Sequence, residues 1–340
     1  MTVTYRSIQV DEPGGALHLV EKEMPEPGTG EVLVIVEAVG ICHSDSMFIN
    51  GFMSGATFPM VTGHEIAGRI DTLGEGVEGF EPCQRVAVGW FGGNCGYCVA
   101  CREGDAINCV RLQTPGLSYP GGFAHAIVVP VSALARIPDA FTASEAAPMG
   151  CAGVTTFNAL RRSAARPGDL VAVLGLGGLG HLGVQFAAAL GFETVAVARG
   201  ADKEPLAREL GALHYIDNTT QDVASELQAR GGAKVVLGTA TDNAAMTGTL
   251  DGLTHRGELV VIGVNPEPFQ INPFALIGGG HKMYGHASGT SREVEETLHF
   301  AALTGVRPMI EEVPLIDAGP AVERMLSGKA RFRMVLTTGS

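Results

Sequence analysis

The chain has few basic side chains and few charges of either sign. Its 340 residues include 23 Lys and Arg against 36 Asp and Glu, a formal net charge of −13, and only 17% of residues are charged. Proteins that bind nucleic acid neutralise phosphates with clustered Lys and Arg, so this composition argues against a nucleic-acid partner. Hydrophobic residues make up 46% of the chain, which is ample for a packed core and excludes a disordered chain.

The sequence also lacks an apolar leader, since it begins MTVTYRSIQVDEPGG, and it has no internal repeat. Its most apolar stretch, residues 170–192, is interrupted repeatedly by glycine. We interpret this stretch as a buried strand, a tight turn and a core helix rather than a membrane helix. The seven cysteines are an odd number in a long chain, whereas disulfide frameworks are typical of short secreted chains. We therefore expect reduced thiols, no membrane partner and a cytoplasmic location.

Two kinds of pattern divide the chain near residue 150, and its length predicts two domains. Before that point, short β-branched runs bounded by turn residues indicate an all-β barrel or sandwich, as in 32–39, 85–90 and 124–131. Beyond it, apolar strands alternate with helical segments, which indicates βαβ units and a parallel sheet; the strands are 170–174, 194–198, 234–240 and 258–264. The C-terminal segment predicts a helix at REVEETLHFAALTG and a final strand at FRMVLTT, and this segment could return to the first domain.

Glycine is abundant, with 47 residues, roughly twice the usual share. Part of the excess forms the motif Gly175-Leu176-Gly177-Gly178-Leu179-Gly180 between a predicted strand and a predicted helix. In a dinucleotide fold the first glycine permits the tight turn, the second lets the backbone approach the pyrophosphate, and the third lets the helix pack closely. A tight turn without a ligand is the alternative, but the position within a βαβ unit favours a dinucleotide.

The end of the second strand of that unit bears on the choice between NAD and NADP. An acidic residue there would bind the ribose 2′-hydroxyl, and a cation in its absence would admit a 2′-phosphate. The sequence has Ala198 and Arg199 at this point, followed by Lys203. This favours NADP(H) over NAD(H), although Arg199 could equally stack on adenine or be solvated.

The cysteines and two histidine-containing segments indicate metal sites. Four cysteines with regular spacing suit a closed tetrahedral zinc site: Cys95, Cys98, Cys101 and Cys109. An iron–sulfur cluster is the competing interpretation, and the surroundings are not basic enough for a nucleic-acid-binding module. Elsewhere, two more cysteines and a histidine could hold a zinc with an open position: Cys42, His64 and Cys151. Each is ambiguous alone, and Cys83 is left over as a structural residue.

Six ordered motifs show a resemblance to the zinc-dependent medium-chain alcohol dehydrogenases, most closely to the microbial and yeast-type branch. They are CHSD, GHE, the CGYC lobe with its two further cysteines, MGCAGVTTF, GLGGLGH and RFRMVL. The resemblance implies an α/β plus β fold. A GroES-like β-barrel catalytic domain would comprise residues 1–152 and 287–340, and a Rossmann domain with a doubly wound parallel sheet would comprise residues 153–286.

The same resemblance implies the roles of individual residues. A catalytic zinc would be held by Cys42, His64 and Cys151, which is the ligand set known for this family. A structural zinc would be held by the four clustered cysteines. Ser44 would bind the alcohol and pass on its proton, with His43 beside the pyrophosphate and Glu65 behind the metal. The remaining cofactor contacts would come from Thr155, Val264 and Arg333.

The implied activity is hydride transfer between an alcohol or aldehyde and a nicotinamide dinucleotide, with zinc polarising the substrate oxygen. Bulky residues predict an apolar substrate pocket: Phe52, Met53, Trp90 and Phe91. A polyol dehydrogenase of the same superfamily and a non-catalytic zinc-binding redox sensor are the alternatives. Many relatives carry a histidine five residues after the first zinc cysteine, where this chain has Met47. The resemblance also implies a homo-oligomer, a tetramer or else a dimer.

Overall fold

The computed structural model describes residues 3–339, and the chain divides into two compact units. The first comprises Met1–Val154, Ser288–Leu303 and Arg307–Ser340, and the second comprises Thr155–Ala287 and Thr304–Val306. The second unit covers the segment assigned above to the cofactor domain, with boundaries shifted by one or two residues and a short later segment added.

The described residues form fifteen strands and eleven α-helices. The strands are β1 (Thr4–Gln9), β2 (His18–Glu23), β3 (Glu31–Gly40), β4 (Glu65–Leu73), β5 (Arg85–Val88), β6 (Ala126–Pro130), β7 (Leu134–Arg136), β8 (Leu170–Leu174), β9 (Glu193–Ala198), β10 (His214–Asp217), β11 (Ala233–Gly238), β12 (Leu253–Val261), β13 (Lys282–Gly285), β14 (Ile310–Pro314) and β15 (Arg333–Thr337). The helices are α1 (His43–Ile49), α2 (Val99–Arg102), α3 (Ala143–Ala146), α4 (Ala152–Arg161), α5 (Gly180–Ala189), α6 (Glu204–Glu209), α7 (Val223–Gln228), α8 (Asn243–Thr247), α9 (Pro273–Ile277), α10 (Ser291–Thr304) and α11 (Ala318–Leu326).

The first unit is built on a mostly antiparallel sheet whose order is β14-β15-β3-β4-β5-β7, with β6 also paired to β3. Strand β3 is almost entirely apolar and is its central element. One edge of β3 pairs with β4 along its length, while the other edge is shared by β6 at its start and β15 at its end. The tail therefore returns to the first unit, as expected, and helps to build the edge beside the candidate site.

The second unit contains a six-stranded sheet in the order β10-β9-β8-β11-β12-β13, and all five pairings are parallel. The predicted parallel sheet is thus confirmed, and the four predicted strands form its centre. The edge strands β10 and β13 were not predicted. Residues 170–192 contain β8, a glycine turn and α5, as predicted, and no helix among the described residues is long and apolar enough to cross a membrane.

Candidate metal centres and cofactor site

Strand pairing brings the ends of β3 and β4 together and so assembles the first cluster. Gly40 at the end of β3 lies opposite Glu65 at the start of β4. Cys42 lies two residues after the end of β3, and His64 directly precedes β4. With Cys151, which precedes α4, they form a cluster in which one ligand atom from each of Cys42, His64, Glu65 and Cys151 lies within 4.8 Å of the others. The structure therefore brings together the three zinc ligands that the resemblance implies.

A buried carboxylate, which the sequence analysis missed, orients the histidine of this cluster. Asp45 Oδ1 lies 3.2 Å from His64 Nδ1, and the Asp45 side chain is fully buried. The same oxygen accepts hydrogen bonds from Thr62 Oγ1 at 2.9 Å and Gly63 N at 3.2 Å, while Oδ2 accepts one from Cys42 N at 2.8 Å. Asp45 thus ties the two ligand-bearing segments together and favours a proton on Nδ1, which leaves the lone pair on Nε2.

The chemistry of the cluster fits a zinc ion. His64 Nε2 is buried and has no hydrogen-bond partner among the described residues, and a buried polar atom without a partner is costly unless a ligand satisfies it. The Sγ atoms of Cys42 and Cys151 are 3.9 Å apart. The hydrogen bond from Cys151 lowers the pKa of Cys42 well below its ordinary value despite burial, and His64 acts in the same direction. The cluster therefore favours a thiolate, the form that binds metals.

Glu65 and Arg333 form a buried ion pair behind this cluster. Arg333 Nη2 donates to Glu65 Oε1 and, at 3.1 Å, to the carbonyl oxygen of Ile41. Burial raises the pKa of Glu65 to about 7, while the charge of Arg333 opposes that shift. Glu65 lies beside the candidate ligands, and its expected position behind a metal stays a prediction. The expected contact of Arg333 with a pyrophosphate stays a prediction.

Aromatic rings surround the imidazole of His64. The Trp90 ring meets it edge-on, with centroids 5.1 Å apart and planes at 88°, and the Phe48 ring lies 5.7 Å away. Trp90 is partly buried, so it can present an apolar surface beside the cluster. Phe91 is only 4% exposed and belongs to the core, whereas Phe52 is 76% exposed. Trp90 is thus a predicted pocket residue whose ring contacts a metal-ligand candidate, His64.

Helix α1 carries Ser44 and His43, which are predicted routes for the proton, and Met47, which stands at the position of the relay histidine. Ser44 and Met47 are partly buried, and His43 is exposed. All three belong to the helix that Asp45 ties to His64, because Asp45 also lies on α1. Ser44 follows the candidate ligand Cys42 by two residues in the sequence, and its contact with a substrate stays a prediction.

The four remaining clustered cysteines form a second, separate group. One Sγ atom from each of Cys95, Cys98, Cys101 and Cys109 lies within 4.8 Å of the others. Short separations such as 3.4 Å between Cys98 and Cys101 leave room for one shared ion and fit a tetrahedral zinc. Cys83, which was expected to be structural, is exposed and has a φ of +65°. It lies in a turn outside both clusters, and its expected structural role stays a prediction.

Amide groups around the second cluster stabilise negative sulfur. Hydrogen bonds from the backbone N–H groups of Cys101 and Val110 lower the pKa of Cys98 to about 6. Asn94 Nδ2 donates to Cys101 Sγ at 3.2 Å, and Arg111 N donates to Cys109 Sγ at 3.3 Å. The thiolate of Cys98 is the form that binds a metal, whereas burial and the hydrogen bonds of neighbouring thiols raise the pKa of Cys109 to about 11.

In the second unit the glycine motif forms the turn between β8 and α5. Gly175 has a φ of +104°, and a Cβ on Gly180 would overlap the carbonyl oxygen of Gly175. A Cβ on Gly177 would meet no atom within 4 Å, so packing inside the protein does not require a glycine there. Open space above a glycine backbone fits the approach of a pyrophosphate, with Gly178 and Leu179 completing the entry to the helix.

The other predicted cofactor residues of this unit occupy different environments. Ala198 ends β9 and is buried, Arg199 is exposed and Lys203 is partly buried. Thr155 on α4 is 7% exposed, and Val264, which follows β12, is 54% exposed. An exposed valine is available to a ligand, whereas the buried Thr155 offers little surface. Their contacts with the cofactor stay predictions.

Two family models match this chain. Residues 28–139 match the alcohol dehydrogenase GroES-like domain, and residues 178–302 match the zinc-binding dehydrogenases. The chain is 39% identical over 334 residues to the alcohol dehydrogenase patD of Penicillium expansum, covering 98% of each chain. These matches confirm the predicted fold class, a GroES-like domain with a Rossmann-like parallel-sheet domain.

Solved structures give the same result. The acetophenone reductase of Geotrichum candidum, solved with NAD, is 27% identical with a TM-score of 0.87, covering 98% of this chain and 97% of its own. The CAD protein of Helicobacter pylori, solved with NADP(H), is 27% identical with a TM-score of 0.89, covering 100% of this chain and 99% of its own. The predicted alcohol dehydrogenase or aldehyde reductase activity with zinc and a nicotinamide cofactor is confirmed, and the two alternatives are not favoured. The chain belongs to the zinc-dependent medium-chain alcohol dehydrogenase family.

Proposed function

We propose that the chain holds two zinc ions with different roles. Cys42, His64 and Cys151 would bind the catalytic ion and leave a position open for the substrate oxygen. The four clustered cysteines would bind a structural ion in a closed site. The observation that carries the proposal concerns the buried Nε2 of His64, which has no hydrogen-bond partner among residues 3–339 and lies within 4.8 Å of the two cysteine sulfur atoms. The four-cysteine cluster, by contrast, has a full set of thiol ligands and no place for substrate.

When bound, the catalytic zinc polarises the substrate oxygen, and the nicotinamide accepts or supplies the hydride. The chain's own residues prepare that chemistry. Asp45 holds the imidazole of His64 in one tautomer. Arg333 neutralises the negative charge of Glu65 beside the ligands through a buried ion pair. The Trp90 ring covers one side of His64 and would keep water from it.

The hydroxyl of Ser44 would accept the alcohol proton and pass it onward. In relatives with a histidine five residues after the first zinc cysteine, that imidazole connects the relay to solvent. Met47 occupies the position here and cannot carry a proton. Proton release would then run through Ser44 and the cofactor ribose, through His43 or through water.

The proposed substrates are primary alcohols and aldehydes, aliphatic or aromatic. The partly buried Trp90 supports this proposal because it presents an apolar ring beside the ligand cluster. A polyol would need polar partners instead. We further propose that NADP(H) is favoured over NAD(H), since Ala198 stands where an acid would bind the ribose and Arg199 is exposed next to it.

We also propose that the protein is a homo-oligomer, a tetramer or else a dimer, in the cytoplasm. Edge strand β13 and the neighbouring α9 support self-association, because Phe274 and Ile277 are 77% and 71% exposed. Exposed apolar side chains are typical of surfaces that another chain covers. The free cysteines fit a reducing compartment. Light scattering on the purified protein tests the assembly, and a monomer would contradict the proposal.

A spectrophotometric screen tests the catalytic proposal. Alcohols and aldehydes would be assayed with NAD(H) and NADP(H) in parallel, following nicotinamide absorbance. We expect turnover of apolar primary alcohols and none after Cys42→Ser, with melting temperature nearly unchanged. The matched control is Cys83→Ser, which alters an exposed cysteine outside both clusters and should retain full activity. Turnover by the Cys42→Ser protein would contradict the proposed ligand set.

A further inference from the structure

The turn that follows β9 is fixed by residues of the neighbouring strand β10. Asp217 lies opposite Ala198 in the parallel pairing of the two strands. Its Oδ1 accepts a hydrogen bond from Gly200 N at 2.9 Å, while Tyr215 donates its hydroxyl to the carbonyl oxygen of Gly200 at 2.6 Å. Both backbone groups of Gly200 are therefore engaged, and the turn that carries Arg199 is held from one side.

The group that holds this turn is a buried, ionised carboxylate. Asp217 is 9% exposed and also accepts hydrogen bonds from Thr219, through Oγ1 at 2.7 Å and the backbone N–H at 3.0 Å. These bonds from Thr219, together with the one from Gly200, lower the pKa of Asp217 below its ordinary value. Its negative charge is therefore permanent at neutral pH.

Further acids add to the negative potential at this turn. Burial raises the pKa of Tyr215 to about 12, and the charges of Asp217, Asp202 and Glu204 contribute to the shift. The Oδ1 of Asp202 also lies so close to Gly200 that it would clash with a Cβ at that residue. Arg199 is thus a cation on a turn that several carboxylates face.

In a Rossmann fold the substituent at the ribose 2′ position meets the end of the second strand, which is β9 here. An acid on that strand binds the 2′-hydroxyl, but Ala198 has no carboxylate. The neighbouring strand supplies one at the matching register position. A 2′-phosphate would meet the field of Asp217 and would find the N–H of Gly200 already engaged, whereas a 2′-hydroxyl carries no charge to repel.

We propose that Asp217 is a specificity-determining residue that disfavours a 2′-phosphate and so limits the preference for NADP(H) that Arg199 creates. This inference rests on the proposed dinucleotide site. It assigns opposite effects to two residues at one turn, the cation of Arg199 directly after β9 and the anion of Asp217 at the end of β10. The selectivity of the enzyme is the balance between them.

Binding of cofactor fragments to the full-length zinc-loaded protein tests the proposal without relying on turnover. Titration calorimetry would measure Kd for 2′,5′-ADP and for 5′-AMP, which differ by the 2′-phosphate. In Asp217→Asn the side-chain oxygen can still accept from Gly200 and Thr219, but the charge is gone. We expect 2′,5′-ADP to bind about fivefold more tightly, a Coulomb effect of partly screened charges, and 5′-AMP to change less than twofold.

The control is Asp251→Asn, which removes the same charge from an exposed residue of the second unit and should change neither Kd. Asp217→Ser also removes the charge and provides a second test in case the asparagine disturbs the turn. It should shift the ratio of the two dissociation constants in the same direction. An unchanged ratio in both variants, or an equal change for both fragments, would overturn the proposal. Arg199→Ala separates the two ideas: if it leaves 2′,5′-ADP binding unaltered, the proposed NADP(H) preference fails while the effect of Asp217 is still measurable.

Discussion

Replacing Asp45 by asparagine tests how the histidine ligand is oriented. Asp45 receives hydrogen bonds from three backbone or side-chain donors besides His64, and it is fully buried. The substitution keeps the shape of the side chain but removes its charge and one acceptor oxygen. If the amide oxygen takes the place of Oδ1, the amide NH₂ faces the N–H of Cys42, which then lacks a partner.

The magnitude follows from these contacts. A buried N–H left without a partner costs about 1–3 kcal/mol. Loss of a carboxylate that orients a metal-binding histidine typically costs about 10–100-fold in metal affinity or activity. We therefore expect Asp45→Asn to lower zinc affinity at the first cluster by at least tenfold and to lower kcat by a comparable factor. The four-cysteine cluster should keep its ion, because none of its ligands contacts Asp45.

Competition with a coloured zinc chelator measures the affinity of each site, and a thermal melt in saturating zinc measures folding. Asp139→Asn is the matched control, since Asp139 is an exposed acid of the same unit. If Asp45→Asn lowers the melting temperature but leaves zinc affinity within twofold of the natural protein, Asp45 only supports the fold. That result would refute the reasoning about tautomer and orientation.

Three further substitutions have defined outcomes. Met47→His should restore a relay to solvent and steepen the pH dependence of kcat, which we expect to be flat in the natural protein; an unchanged profile in stopped-flow assays would be inconsistent with the proposed proton route. Ala198→Asp should shift the ratio of kcat/KM toward NAD(H), and failure to do so would show that the cofactor interpretation is wrong. Glu258→Gln should lower the melting temperature by a few degrees at pH 7, because Glu258 accepts bonds from Ala164 N and Lys282 Nζ worth about 1–3 kcal/mol. Despite burial, those bonds lower the pKa of Glu258 in the folded protein. The difference in melting temperature between the two proteins should therefore persist down to pH 5 and vanish as the pH falls through that pKa. A constant difference down to pH 3 would contradict this prediction.

The parts of the fold that sequence predicted are those with strong local patterns. Strand β8, the glycine turn and α5 follow from an apolar run and a fixed glycine spacing. Strands β10 and β13 were missed because each has only four residues and neither is a continuous apolar run. Their strand geometry comes from pairing with a neighbour in the sheet, which no short window of sequence reveals.

The candidate sites likewise differ in how far apart their residues lie in the sequence. The four clustered cysteines are close in sequence, so their spacing alone predicted a shared ion. Asp45 was missed because its partner His64 lies 19 residues away and only the pairing of β3 with β4 brings them together. The available signal was the acid itself, three residues after Cys42 at the start of a helix. The pairing of Glu65 with Arg333 spans 268 residues and depends on the return of the chain through β15.

The opposing charges at the turn after β9 show a further limit. Ala198 and Arg199 can be identified from the sequence because they lie at the end of the second strand of the nucleotide fold. Asp217 cannot, because it lies on a strand that was not predicted. The parallel register of β9 and β10 places that carboxylate opposite Ala198. A prediction of cofactor preference from one strand therefore omitted a charge that belongs to the same turn.

Zinc content per chain tests the central claim most directly. Elemental analysis by mass spectrometry of the purified protein, with the protein concentration from amino-acid analysis, should give two zinc ions per chain. Cys42→Ser should retain one ion and lose turnover, whereas Cys83→Ser should retain both ions and full activity. A natural protein with a single zinc, or a Cys42→Ser protein that keeps two ions and turns over alcohol, would contradict the account.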